Sequence, residues 1–159
     1  MKSRKHLFSA LLFICAVLAY VLYPTDENRI RKTLTNAGES VASEDIDGVM
    51  KFISFNYADD FGNNYLMLRK TLQSVFKRLD GIDIEKSIIK ISVGDKKAES
   101  ELSVRVAASA SLGSQGNETD KGYIIGDAVD AAKIKVYFEK SLNKWLINRV
   151  EGLDKAVRY

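Results

Sequence analysis

Residues 25–159 contain no cysteine, no proline and no histidine. The chain has one of each, and Cys15, Pro24 and His6 all lie within the first 24 residues. Without cysteine this part can form no intramolecular disulfide and no Cys-ligated metal site. It must be held by its own apolar core, for which a stretch of about 130 residues is long enough. No glycine-rich phosphate loop, no metal-ligand spacing and no Ser-His-Asp set is present. The sequence therefore implies no cofactor and no metal. A surplus of charge is also missing. The chain has 24 Lys and Arg against 21 Asp and Glu, and Lys2, Arg4 and Lys5 account for the difference. Residues 24–159 are neutral, which argues against a nucleic-acid binder needing spare cations for phosphates. There is no internal repeat, and one domain is the simplest organisation.

The first 24 residues are of a different character. The basic arm is followed by an apolar run from Leu7 to Tyr23 in which Ser9 is the only clearly polar side chain. As a helix, these 17 residues would measure about 25 Å, at the short end for a hydrocarbon core of about 30 Å. Three readings compete. One is an uncleaved single-pass anchor with Tyr20 and Tyr23 at the far interface. Another is a cleaved signal with Val17 and Ala19 at the cleavage site. The third is a buried core helix. A lipoprotein signal at Cys15 is disfavoured, because Ile14 stands where a small residue is expected. The leading expectation is an inner-membrane anchor over residues 1–24 with residues 25–159 on the periplasmic, extracytoplasmic side. Secretion after cleavage is the alternative.

Residues 25–159 begin with helical patterning. Thr25 or Asp26 can cap a helix, and Asp26 and Glu27 suit its first turn. Ile30, Leu34, Ala37 and Val41 form one apolar stripe, which Gly38 weakens slightly. Ser43 and Asp45 start a second helix carrying Ile46, Val49, Met50 and Ile53. Residues 55–64 read as a loop or short strand. Asn63 or Asn64 caps a third helix with Leu68, Leu72, Val75, Phe76 and Leu79 on one face, ended by Gly81.

The period then changes to two. Ser87, Ile89, Ile91 and Val93 share one strand face, and Gly94–Asp95 is hairpin chemistry. Ala98, Leu102, Val104, Val106 and Ala108 alternate with polar residues in a long antiparallel strand. Residues 109–122 read as a mobile loop. Ile134, Val136 and Phe138 mark another strand, and Trp145 and Ile147 a last one. The expected class is α+β: three helices packed on a curved antiparallel sheet of about four strands, a cone-like barrel.

The segment ASEDIDGVMKFISFNYADDFGNNYLMLRKTLQSVF, with Asp45, Ile46, Asp47 and Gly48 opening its second helix, resembles the start of a nuclear transport factor 2-like domain. Trp145 at the head of the final strand fits the same pattern. The resemblance covers about residues 26–151. It implies a cone with a central cavity, on a fold that serves enzymes, ligand binders and interaction modules alike. Ketosteroid isomerase, in that superfamily, uses an aspartate base, and Asp60 falls near its position. The family's oxyanion-hole tyrosine would fall near Ala37, which has no donor, and oxyanion stabilisation is usually the larger part of catalysis. Dehydratases that depend on histidine are excluded, since His6 precedes the apolar run.

Asp59 and Asp60 read as a pocket acid pair or, preferably, as a solvated loop bonding its own backbone. Tyr57, Phe61 and Trp145 are candidates for lining the pocket, against the plainer reading of core and rim aromatics. Lys77–Arg78 and Lys96–Lys97 read as solubilising surface. The leading functional expectation is a non-enzymatic, membrane-tethered domain binding a small apolar ligand or a partner protein through its cone. The partner would be a second copy or an envelope protein. One alternative is a small isomerase or dehydratase with a desolvated, inward-facing Asp60 as base. The other is an assembly part of an envelope machine, since type IV secretion assembly factors are similar in their tether-plus-cone layout.

Overall fold

The computed structural model describes residues 13, 25–110, 122–125 and 131–152. The proposed leader from Leu7 to Tyr23 lies outside the described residues apart from Phe13, as do most of the 109–122 loop and the chain after Gly152. No described helix is long and apolar enough to cross a membrane.

Helix α1 spans Asp26–Ala42, and the Thr25 hydroxyl accepts from the Asn28 N–H at 3.3 Å. Its Ile30, Leu34 and Ala37 are buried as the stripe requires, with Thr33 beside them. A Cβ at Gly38 would come within 2.5 Å of the Lys86 ammonium, the tip of a flexible side chain that crosses from the sheet to the Thr35 carbonyl. Helix α2, Ile46–Met50, is capped by Asp45, whose carboxylate accepts from the Gly48 N–H at 2.9 Å. A side chain at position 48 would collide with that carboxylate, so the Asp-Ile-Asp-Gly motif is a cap and the space it needs. The helix is shorter than expected. Ile53 leaves it because the chain turns extended to run beside the last strand. Helix α3, Tyr65–Phe76, takes Asn64 as its cap. It ends before Gly81, contrary to expectation.

The strands are β1 (Leu79–Val93), β2 (Lys97–Ala110), β3 (Gly122–Ile125), β4 (Ala132–Ser141) and β5 (Lys144–Glu151). They form one antiparallel sheet in the order β1-β2-β4-β5, with β3 pairing with β2 beyond the end of β4. The structure therefore adds one short strand to the four expected. β1 starts eight residues earlier than the period-two pattern suggests, and its expected face is incorrect. Gly81, at φ +61°, sits in one irregularity and Ile89 is the extra residue of another. A bulge of this kind switches which side chains face inward. Ile88 and Ile91 pack on the core, while Ile89 is 53% exposed.

The core lies between α1, α2 and the concave side of the sheet. Ile30, Leu34, Val49, Met50, Leu102, Val136, Phe138 and Trp145 form it, with Tyr57 and Ile147. Residues 52–58 close one flank. Ser54 N–H donates to the Ile147 carbonyl, Ile147 N–H to the Phe52 carbonyl and Ala58 N–H to the Asn148 carbonyl, all at 2.8–3.0 Å. The buried Ser54 hydroxyl bonds Glu139, which also accepts from the Asn56 amide.

Candidate functional site

In the loop that carries Tyr57, Asp59, Asp60 and Phe61, the Asp59 carboxylate is engaged in holding the turn. Asp59 accepts from the N–H groups of Phe61 and Asn63 at 3.0 and 2.8 Å, from the Asn63 amide at 2.9 Å and from the Tyr57 hydroxyl at 3.2 Å. This is an aspartate bonding its own turn. Tyr57 is buried. Burial first, then the Asp59 charge, pushes its phenol up from its ordinary value and keeps it neutral. Asp60 faces outward. Its carboxylate lies 3.2 Å from Arg149, and its side chain is 40% exposed. The desolvated, inward base required by the isomerase expectation is therefore not formed by Asp60. Ala37, at the expected oxyanion position, is a core residue.

Phe61 is exposed and Trp145 is almost wholly buried. Phe61 shares its exposure with Phe55, Leu66 and Met67; Phe55 leans on Tyr65 with ring centroids 4.6 Å apart. Lys77, Arg78, Lys96 and Lys97 are all exposed. Trp145 packs under α1, where the Thr33 hydroxyl donates to its carbonyl at 3.3 Å. The Lys140 ammonium lies 5.3 Å from its ring centroid and 2.7 Å from Asp26. That ammonium, and after it the indole N–H, hold the Asp26 carboxyl below its usual value. The indole nitrogen makes no hydrogen bond of ordinary geometry among the described residues.

Trp145 also forms part of a cleft of about 500 Å³ along the flank of α1. Half-buried Phe52 and Leu146 supply its apolar surface, with Trp145 buried beneath them, and Arg29, Lys32, Lys51 and Lys144 its charge. No carboxylate lines it among the described residues. Arg29 reaches across to the Asn143 carbonyl at 3.3 Å, tying α1 to the β4–β5 turn. Lys32, Lys51 and Lys144 have no ion-pair partner among the described residues. A concave surface carrying one sign of charge concentrates its field and draws counter-ions. The volume is that of a small-molecule site. This cleft lies beside the cone, whereas the sequence pointed to its interior.

The sequence reading missed Arg29, Lys32, Lys51 and Lys144. One signal was available. Arg29, Lys32, Thr33 and Asn36 follow helical spacing immediately beside the buried stripe of α1. Nothing in the sequence brings Lys51 and Lys144 to that stripe.

On the outer face of the sheet, Glu85–Arg105, Glu101–Lys135 and Arg149–Glu151 pair at 3.2, 3.4 and 2.8 Å. Tyr137 donates to Glu151 at 2.9 Å, and this contact first of all raises its phenol from the ordinary value. Glu101 likewise raises Lys135. No cluster of metal-ligating side chains occurs among the described residues.

No family model and no curated protein matches the chain. Solved structures do. A conserved protein from Planctomyces limnophilus superposes with a TM-score of 0.64 at 14% identity, over 79% of this chain and 93% of its own. A protein with a cystatin-like fold from Nostoc punctiforme gives 0.57 at 14% identity, over 79% and 88%. A hexachlorocyclohexane dehydrochlorinase gives 0.63 at 10% identity, over 79% and 82%. At such identities the likeness concerns the fold, which is the cystatin-like, nuclear transport factor 2-like cone implied by the sequence resemblance.

Proposed function

We propose that this chain is a membrane-tethered or exported domain that binds a small molecule without transforming it. The observation that carries this reading is the α1-flank cleft, with half-buried Phe52 and Leu146 on its wall and the buried Trp145 beneath them. The fold is compatible with binders and enzymes alike. The enzyme alternative needs an aspartate base in an apolar cavity, but Asp60 is ion-paired and partly exposed. The chain has no histidine outside the apolar leader region to take its place. The extracytoplasmic location rests on the basic arm and the run from Leu7 to Tyr23.

Native mass spectrometry of the full-length chain, released from membranes of the expressing cells, tests the reading. A small molecule retained by the wild type and lost on Trp145→Phe is the expected result. A chain that carries nothing, and binds no member of a small-molecule library, would overturn it. The same spectrum reports whether a second copy is bound. Protease protection of residues 25–159 in sealed spheroplasts tests the location.

A further inference from the structure

We infer that the ligand of the α1-flank cleft is an amphipathic organic anion, an acidic head group on an apolar or aromatic body. This rests on the binding reading above and specifies its ligand class.

The cleft divides by chemistry. Phe52 and Leu146, both half-buried, offer apolar surface to a ligand's body, with the buried Trp145 beneath them. Arg29 and Lys32 come from α1, Lys51 from the end of α2 and Lys144 from the start of β5, so cations approach from three separate segments. Thr33 and Asn36 add hydrogen-bonding groups between them. A neutral apolar ligand would gain from the aromatic surface alone and leave the lysines unused. An inorganic anion would meet the lysines and leave the aromatics bare. Only a molecule with both parts uses the whole surface.

Arg29 ties α1 to the β4–β5 turn, whereas the three lysines make no ion pair among the described residues. Several cations elsewhere in the domain face carboxylates. Asp26 takes Lys140, Asp47 takes Arg69 and Glu101 takes Lys135. Around the cleft, Lys32, Lys51 and Lys144 are left without carboxylates among the described residues. An anion entering the cleft meets these ammonium groups, and ammonium–anion hydrogen bonds are stronger than neutral ones. The volume of about 500 Å³ suits a ligand of drug-like size.

The test uses a matched pair of probes, 8-anilinonaphthalene-1-sulfonate and N-phenyl-1-naphthylamine. They share one aromatic skeleton and differ by the sulfonate. Trp145 is the only tryptophan in the chain, so one indole N–H cross-peak in a ¹⁵N–¹H spectrum of the full chain reports on the cleft. The sulfonate should move this peak with an affinity at least about tenfold above that of the amine. Lys32→Gln, Lys51→Gln and Lys144→Gln should each weaken the sulfonate several-fold and leave the amine unchanged. Added salt should weaken only the sulfonate. Equal affinities, or lysine variants that bind the sulfonate as the wild type does, would overturn the anion inference and leave the binding reading standing. Failure of both probes to move the Trp145 peak, with no retained molecule in the mass spectrum, would remove both.

Discussion

On the outer face of the sheet, Arg105, Lys135 and Arg149 each lie against a carboxylate on the same or a neighbouring strand. On the flank of α1, Lys32, Lys51 and Lys144 gather around a concavity that no carboxylate among the described residues lines. Both surfaces are polar and both are partly solvated, yet they are built differently. Exposed pairs on a flat face contribute little to stability, between about 0 and 1 kcal/mol each. They make the face soluble and electrically quiet. Like charges around a hollow do the opposite. They cost a little in the empty domain and leave a field for a ligand to neutralise. Charge arrangement, more than charge count, separates inert surface from candidate site in this neutral domain.

The comparison fails if the cleft can be cut away from the fold, and Trp145 is the place to try. It is a core residue and a cleft residue at once, so Trp145→Ala should cost about 3–5 kcal/mol, seen as a lower urea midpoint. A loss below about 1 kcal/mol would show that the cleft wall stands apart from the core. The next largest effect separates two neighbouring aspartates. Asp59→Ala should cost about 2 kcal/mol by freeing the donors that it satisfies, whereas Asp60→Ala, which removes one exposed ion pair, should cost less than about 0.5 kcal/mol. The same denaturation assay ranks them, and a reversed order would return Asp60 to the list of structural or catalytic groups.

A smaller effect has opposite signs on the two surfaces. Arg149→Gln should lose a few tenths of a kcal/mol, while Lys51→Gln or Lys144→Gln should gain a similar amount by relieving repulsion. The contrast should be visible at low salt and vanish toward 1 M. Identical signs would mean that the two surfaces are not distinct. The smallest effect is a pH dependence. Lys140 holds Asp26 below its usual value of 3.8. The pair therefore adds stability above that value, and the contribution disappears as the pH falls through the lower folded value. Lys140→Met should flatten the acid end of the stability curve, measured as a shift in the acid-unfolding midpoint. An unchanged midpoint would assign the contact no energetic weight.

The helices were legible because their signals are local. The α1 stripe, the Asp45 cap and the Asn64 cap depend on residues within a turn or two of one another. β2 and β4 were legible for the same reason, through alternation over eight or more residues. β1 was misread because a single extra residue, Ile89, breaks the alternation without leaving any mark in composition. The short β3 has too few residues to show a period. Ile53 was drawn into α2 by its spacing, although its backbone is committed to β5, a partner more than ninety residues away. The loop at 59–60 showed its acids, and only the hydrogen bonds showed what they do. The cleft was least legible. It is assembled from α1, the α2 exit and the β4–β5 turn, and only the α1 spacing could have suggested it.

The stretch from Phe52 to Ala58 has one more consequence. By occupying the Ile147 amide and the Ile147 and Asn148 carbonyls of β5, it shortens the rail that an incoming polypeptide could zip onto at that border. Among the described strands β1 pairs with β2 alone, so the opposite border is the more open one for templated growth by a misfolded neighbour. There Ile89 interrupts the register midway, and the longest uninterrupted docking run is only about half the strand.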